Sequence, residues 1–288
     1  MPDETPSGRI GLIAGNGSLP VMVARTLSIN GKSPFIVGIE GEAESALRDF
    51  DFVSAYSGHP GKVVSALKKA KVTDVVMVGG VKGRPSLSRL RPDWTTLKVA
   101  RKMLASLGKG DDALLRSVID IIEDSNIRVR GVHELVPDLL APMGVLAGPD
   151  LDIATKQSVT TAINGAVALG LLDAGQAAVA IGRRVVALEG AEGTDLMLGR
   201  VQELRKIERL QKKPGGALVK LAKPGQELRA DLPTIGPSTV RNAALASLKA
   251  IAVHAGRALI VDIEETKALA QQSKITLLGI DPDEFIGG

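Results

Sequence analysis

The segment KPGQELRADLPTIGP, residues 223–237, concentrates residue types that act on phosphate. Glu227, Arg229 and Asp231 alternate with other residues, and in an extended chain that spacing turns all three to one face. Carboxylates flanking an arginine suit phosphoryl transfer, because acids hold a divalent cation and a guanidinium holds the non-bridging oxygens. Pro233, Gly236 and Pro237 restrict the backbone beside them. The same alternation also describes an edge strand with a solvated polar face. A second set of acids lies in EGAEGTD, residues 189–195, where a strand pattern gives way to a helix pattern. Capping accounts for Thr194, read as the N-cap, and for Asp195. It accounts less well for Glu189 and Glu192, since Glu189 closes an apolar strand.

Two glycine loops offer an anion site. Gly15, Asn16 and Gly17 follow the apolar run 10–14 and precede a helix pattern. Backbone N–H groups there favour a phosphate, and absent side chains let it approach. Pro20 stands where a dinucleotide fingerprint has its third glycine, while Glu40 ends the second strand, where a ribose acceptor would sit. A turn without a ligand is the plain alternative. Gly79, Gly80 and Lys82 follow the apolar run 74–78, and open parallel sheets bind ligands beyond the carboxyl ends of their strands. Lys109, Asp111 and Asp112 open an amphipathic helix; the acids suit capping, or else Lys109 suits phosphate beside acids for ribose or metal. His133 follows a strand end, and none of the three histidines has metal-ligand spacing.

The elements that must position these residues alternate in the first half. Strand patterns at 10–14, 35–39, 52–56, 74–78 and 127–132 are separated by helix patterns at 19–29, 61–70, 95–107 and 111–123, which implies a parallel sheet with helices on both faces. Residues 138–153, rich in proline and glycine, read as a linker. Beyond them a helix at 153–172 precedes strands at 177–181 and 185–189, joined as a hairpin across Gly182. A helix at 194–209, a strand at 217–222, a helix at 237–248, strands at 251–254 and 258–261, a further helix and a last strand at 276–280 complete a mixed α/β pattern. The expected organisation is a Rossmann-like domain over residues 1–140 and a mixed α/β domain over residues 141–288.

Composition removes other chemistries. The 288 residues include no Cys, which excludes disulfides, thiolate metal sites and a cysteine nucleophile. Six aromatics leave few platforms for stacking bases, so single-stranded nucleic acid is not an expected partner. No apolar run is long enough to span a bilayer, and the first eight residues lack the apolar core of a secretory signal. The expected location is therefore the cytoplasm. Basic residues cluster between Lys82 and Lys102 and again between Arg200 and Lys223, as solvated faces or as surfaces for an anionic ligand or membrane.

Taken in order, GLIAGNGSLP, GGVKGRP, KGDDALLR, GVHEL, EGTD and KPGQELRADLPTIGPST resemble the bacterial UDP-2,3-diacylglucosamine diphosphatases of the LpxI type, over most of the chain. The resemblance implies hydrolysis of the pyrophosphate of UDP-2,3-diacylglucosamine to 2,3-diacylglucosamine 1-phosphate and UMP in lipid A synthesis. It also implies two domains, magnesium or another divalent cation such as manganese, a homodimer, and peripheral contact with the cytoplasmic face of the inner membrane. It makes Asp231 the essential acid near the metal and Arg229 a phosphate clamp. Glu192 and Asp195 become candidates for further metal or water contacts, with Thr194 beside them. Gly15, Asn16, Gly17 and the stretch from Lys109 to Asp112 are assigned to uridine and phosphate. The family pattern commonly has Asp where this chain has Glu227. Two other readings stay open: an NAD-dependent oxidoreductase using the first glycine loop, and a non-catalytic protein that binds a nucleotide sugar or lipid.

Overall fold

The apolar runs of the first half assemble into one parallel sheet. In the computed structural model β1 (Arg9–Ala14), β2 (Phe35–Ile39), β3 (Asp51–Ala55), β4 (Val72–Val78) and β5 (Arg128–Arg130) lie in the order β3-β2-β1-β4-β5. The structure describes residues 8–56, 58–81 and 111–287, with side chains from residue 115 in the last segment. Lys82, Lys109 and the helix expected at 95–107 lie outside the described residues. β2 is buried at every position, as strands covered on both faces are. The helices α1 (Leu19–Ile29), α2 (Pro60–Lys69), α3 (Asp111–Glu123) and the short α4 (Val132–Leu135) accompany this sheet. The expected last strand is cut to three residues because α4 begins at Val132. The strand order reverses between β1 and β4. This is the place in a doubly wound sheet where loops diverge and ligands enter.

Packing divides the chain into two units: Met1–Asp138 with Glu227–Asp231, and Leu139–Gln226 with Leu232–Gly288. The first unit therefore takes one short piece of its structure from late in the sequence. In that piece Ala230 packs against the apolar core that includes Ile122, Val129 and Leu67. Below the sheet centre, Asp74 is wholly buried in β4 and receives hydrogen bonds from Thr73 Oγ1 at 2.7 Å and Arg130 Nε at 3.2 Å, with Arg128 Nε at 3.0 Å. Burial alone would raise its pKa; the three donors outweigh it and hold the carboxyl below its ordinary value.

The second unit holds a six-stranded mixed sheet. Its strands are β6 (Gly144–Ala147), β7 (Ala177–Ile181), β8 (Arg184–Leu188), β9 (Ala217–Lys220), β11 (Ala250–His254) and β13 (Thr276–Ile280), in the order β6-β13-β11-β9-β7-β8. β9, β11 and β13 are parallel, and β6, β7 and β8 run against their neighbours. A separate parallel pair is formed by β10 (Thr234–Ile235) and β12 (Leu259–Ile260). The helix α5 (Ile153–Leu171) packs on one face through Val159, Ile163 and Ala166. The other core draws on α6 (Gly193–Lys206), α7 (Pro237–Leu245) and α8 (Ile263–Gln272), and α9 (Pro282–Gly287) ends the described chain. The hairpin expected at Gly182 is present, with Gly182 at φ 56°. Asp152 caps α5 by accepting the Thr155 N–H at 2.7 Å.

Three local expectations fail for identifiable reasons. Residues 138–153 contain β6, which pairs with the edge of β13. Thr194 is not the N-cap of α6: Glu192 occupies that position, and the Thr194 hydroxyl is drawn away to Glu189. Residues 227–231 form a turn, not an extended row. The Glu227 carbonyl collects the N–H groups of Ala230 at 3.1 Å and Asp231 at 3.0 Å, and the Glu227 side chain bends back to Arg229.

In unit 2 a single buried cation organises a long loop. Arg205, 6% exposed, donates to the carbonyl oxygens of Ala246, Gln211, Lys213, Gly215 and Ser247. Among the described residues no helix is long and apolar enough to cross a membrane.

Candidate active site

At the switch point of unit 1 the two glycine loops lock together through their backbones. Gly15 N–H donates to Val78 C=O and Asn16 N–H to Gly80 C=O, both at 2.8 Å. A Cβ on Gly15 would lie 2.2 Å from the Gly80 oxygen, so close approach of the loops requires glycine there. Gly79, at φ 89°, is constrained in the same way by the Asn16 oxygen. Gly17 differs: at φ 92° no atom of the described residues lies within 4 Å of a would-be Cβ. The Asn16 side chain donates to Glu42 Oε2 at 3.0 Å. The acid beside this loop is thus Glu42, whereas Glu40, named from the sequence, sits exposed just past β2.

Asp111 and Asp112 open α3, and their side chains lie outside the described residues. His133 sits in α4 with Nδ1 buried and without a hydrogen-bond partner among the described residues. Its neighbour Glu134 accepts from Gly131 N–H and from Arg130 Nη1, each at 2.8 Å.

The turn at 227–231 places two candidates in unit 1. Arg229 grips Glu227 with a fork, Nε to Oε1 at 2.9 Å and Nη2 to Oε2 at 3.0 Å. Its Nη1 reaches Glu123 Oε1 on α3 at 3.0 Å. The Arg229 hydrogen bond holds the Glu227 carboxyl below its ordinary pKa and outweighs burial, while Glu227 in turn raises that of Arg229. A guanidinium has five N–H donors. Three are engaged here, and two have no partner among the described residues. Asp231 follows, half-buried, at the end of the turn.

The other named acids belong to unit 2. Glu192 pairs with Arg200 at 3.0 Å, and Asp195 accepts from Asn242 Nδ2 at 2.9 Å. Thr194 lies between them in sequence and joins a buried network with Glu189 and Lys220. Lys220 was not singled out from the sequence. The signal was available: a charged residue closing the apolar run ALV of β9, as Glu189 closes β8. Among the described residues no group of three His, Asp or Glu is placed to hold an ion.

Two family models cover the chain almost end to end: the LpxI N-terminal domain over residues 9–139 and the LpxI C-terminal domain over residues 142–278. The chain is 38% identical over 277 residues to the UDP-2,3-diacylglucosamine pyrophosphatase LpxI of Caulobacter vibrioides, spanning 96% of this chain and 99% of that one.

The chain belongs to the LpxI family.

Solved structures outside it align only loosely. The crystal structure of gox2253 gives a TM-score of 0.35 at 13% identity, over 95% of the LpxI chain and 70% of its own. A GalE-like L-threonine dehydrogenase from Cupriavidus necator gives 0.31 at 8% identity, over 97% and 89%. Likenesses of that size carry no argument about function.

Proposed function

We propose that this LpxI family member hydrolyses the pyrophosphate bond of UDP-2,3-diacylglucosamine, releasing UMP and 2,3-diacylglucosamine 1-phosphate for lipid A synthesis. The observation that carries the reading is the full-length kinship with the Caulobacter vibrioides pyrophosphatase, 38% identical over 96% of the chain. The turn bearing Arg229 and Asp231 supports it, because it supplies the two functional groups such a hydrolysis needs. Water adds to one phosphorus, the bond from that phosphorus to the bridging oxygen breaks, and UMP and the sugar phosphate separate. Asp231 orients the water and takes its proton. The two N–H groups of Arg229 that have no partner among the described residues hold non-bridging oxygens, and Glu227 and Glu123 fix the plane of the guanidinium. Gly17, at the mouth of the first loop, admits the nucleotide phosphate to the start of α1.

A divalent cation fits this donor set in one form. Magnesium commonly takes one or two protein carboxylates together with phosphate oxygens and water, not a protein cage. Asp231 would be its protein ligand, with substrate oxygens completing the shell. When bound, the cation neutralises charge on the pyrophosphate. Magnesium or manganese, a homodimer, a cytoplasmic location and peripheral membrane contact belong to the same proposal. The deciding experiment is UMP release from UDP-2,3-diacylglucosamine with magnesium, manganese or EDTA. The reading expects release with a cation and loss with EDTA; no release under any condition sinks it.

A further inference from the structure

Lys220 closes β9 at the carboxyl edge of the parallel strands of the second sheet, opposite Val253 of β11 and Ala177 of β7. Only 9% of it is exposed. Its Nζ donates to Thr194 Oγ1 at 2.9 Å and to the Thr234 carbonyl at 3.2 Å. A lysine ammonium has three N–H donors, so one has no partner among the described residues, and no described carboxylate pairs with Nζ directly.

The acid of this network, Glu189, is 7% exposed and reaches Lys220 only through a hydroxyl. Its Oε1 accepts the Thr194 O–H at 2.5 Å, and its Oε2 accepts the Gln176 N–H at 3.0 Å. The direction of the Thr194 proton is forced. An ammonium cannot accept, so the hydroxyl gives its one proton to Glu189 and turns a lone pair to Lys220. Thr194 and Glu189 thereby fix the ammonium without neutralising it by contact.

A buried cation with no carboxylate against it is unfavourable, and an apolar side chain of the same length would serve a purely structural role better. The arrangement is accounted for if an anionic oxygen takes the third donor. Carboxyl edges of parallel strands are also where open α/β sheets hold ligands. We propose that Lys220 is an anion-holding residue of the second unit, positioned by Thr194 and Glu189, and that it takes a non-bridging oxygen of a sugar phosphate. The identity of that phosphate rests on the hydrolase reading; the anion site does not.

The test uses the full chain and its K220M, K220Q, K220R and E189Q variants. Thermal melting is followed with and without inorganic phosphate and glucose 1-phosphate, and UMP release gives kcat and KM. Wild type is expected to melt higher with either phosphate. K220M and K220Q should lose that shift and fall on the order of 100-fold in kcat/KM, yet melt no lower than wild type without ligand. K220R should keep part of both, and E189Q should weaken the phosphate shift while Lys220 stays in place. A phosphate shift in K220M equal to that of wild type overturns the proposal. So does the absence of a shift in wild type, or failure of all three Lys220 variants to fold. A shift that wild type shows and K220M loses, in a protein that releases no UMP, leaves the anion site standing and removes the hydrolase reading.

Discussion

Arg229 Nη1 and Glu123 Oε1 meet at 3.0 Å across 106 positions of sequence, and both belong to the first unit. This pair ties the turn that carries Asp231 to α3, on the same unit as the glycine loops. Both side chains are about a third exposed, 35% and 39%, so the pair is worth only about 0.2–1 kcal/mol. Glu123→Gln should therefore lower kcat/KM for UMP release by less than about tenfold. Arg229→Lys should cost much more, because an ammonium cannot present the fork that Glu227 receives. Equal losses from the two variants would show that the fork has no special role.

Asp231→Asn preserves the size of the side chain and removes its ability to take a proton or bind a cation as an anion. Release of UMP should fall by about 10²–10⁴. The variant keeps the backbone N–H by which Asp231 closes the turn on Glu227, so a fall in melting temperature would report a structural role of the carboxylate itself. Single-turnover assays beside thermal melting separate the two effects. Retained turnover would remove Asp231 from the mechanism.

Gly15 and Gly17 should respond differently to alanine. In Gly15→Ala the new methyl carbon meets the Gly80 oxygen at 2.2 Å, so the loops must separate. In Gly17→Ala no atom of the described residues obstructs it, and the penalty is the left-handed backbone at φ 92°, about 1–2 kcal/mol. Chemical denaturation should find Gly15→Ala the less stable protein.

Arg205 should matter for stability and not for chemistry. Arg205→Met removes a donor from five carbonyl oxygens, of which Ser247 keeps the Gly215 N–H, and should destabilise the protein by about 3 kcal/mol or more. Urea unfolding measures this directly. An unchanged midpoint would mean the loop at 207–216 is held by other contacts.

His254 gives the acid side of the stability profile a definite sign. Burial lowers its pKa from 6.5, Arg257 adds to that, and Asp281 and Asp283 oppose it less strongly. The folded protein thus keeps the ring neutral while the unfolded chain takes up a proton. Its contribution is present above about pH 6.5 and is lost as pH falls from there toward the folded-state value. His254→Gln should flatten the drop in melting temperature between pH 7.5 and pH 5.5. A drop as steep as that of wild type would assign it to other groups.

The parallel sheet was legible chiefly through its central strands, since β1 and β4 are short, largely buried apolar runs followed by Gly15 and Gly79. The hairpin at Gly182 was legible for a similarly local reason, a left-handed position between two apolar runs. What escaped depended on distant partners. The alternation of Glu227, Arg229 and Asp231 suggested a strand, but a carboxylate two residues from a guanidinium can close a turn on itself, and Ala230 then finds a core laid down by the first half of the chain. Thr194 looked like a cap because its partner Lys220 lies 26 positions later. Lys220 itself passed as one more basic residue, since burial is what distinguishes it. Glu42 replaced Glu40 beside the first loop because Asn16, not strand length, selects the acid.

The return of residues 227–231 to the first unit has a consequence for inheritance. A gene cut at the boundary near residue 139 would yield an N-terminal fragment without Arg229 or Asp231 and a C-terminal fragment whose turn had lost its core. Shuffling of the two halves between diverged relatives would pair one parent's Glu123 with the other's Arg229 loop. The halves are therefore bound to change together, as a single unit of descent, even though each folds around a sheet of its own.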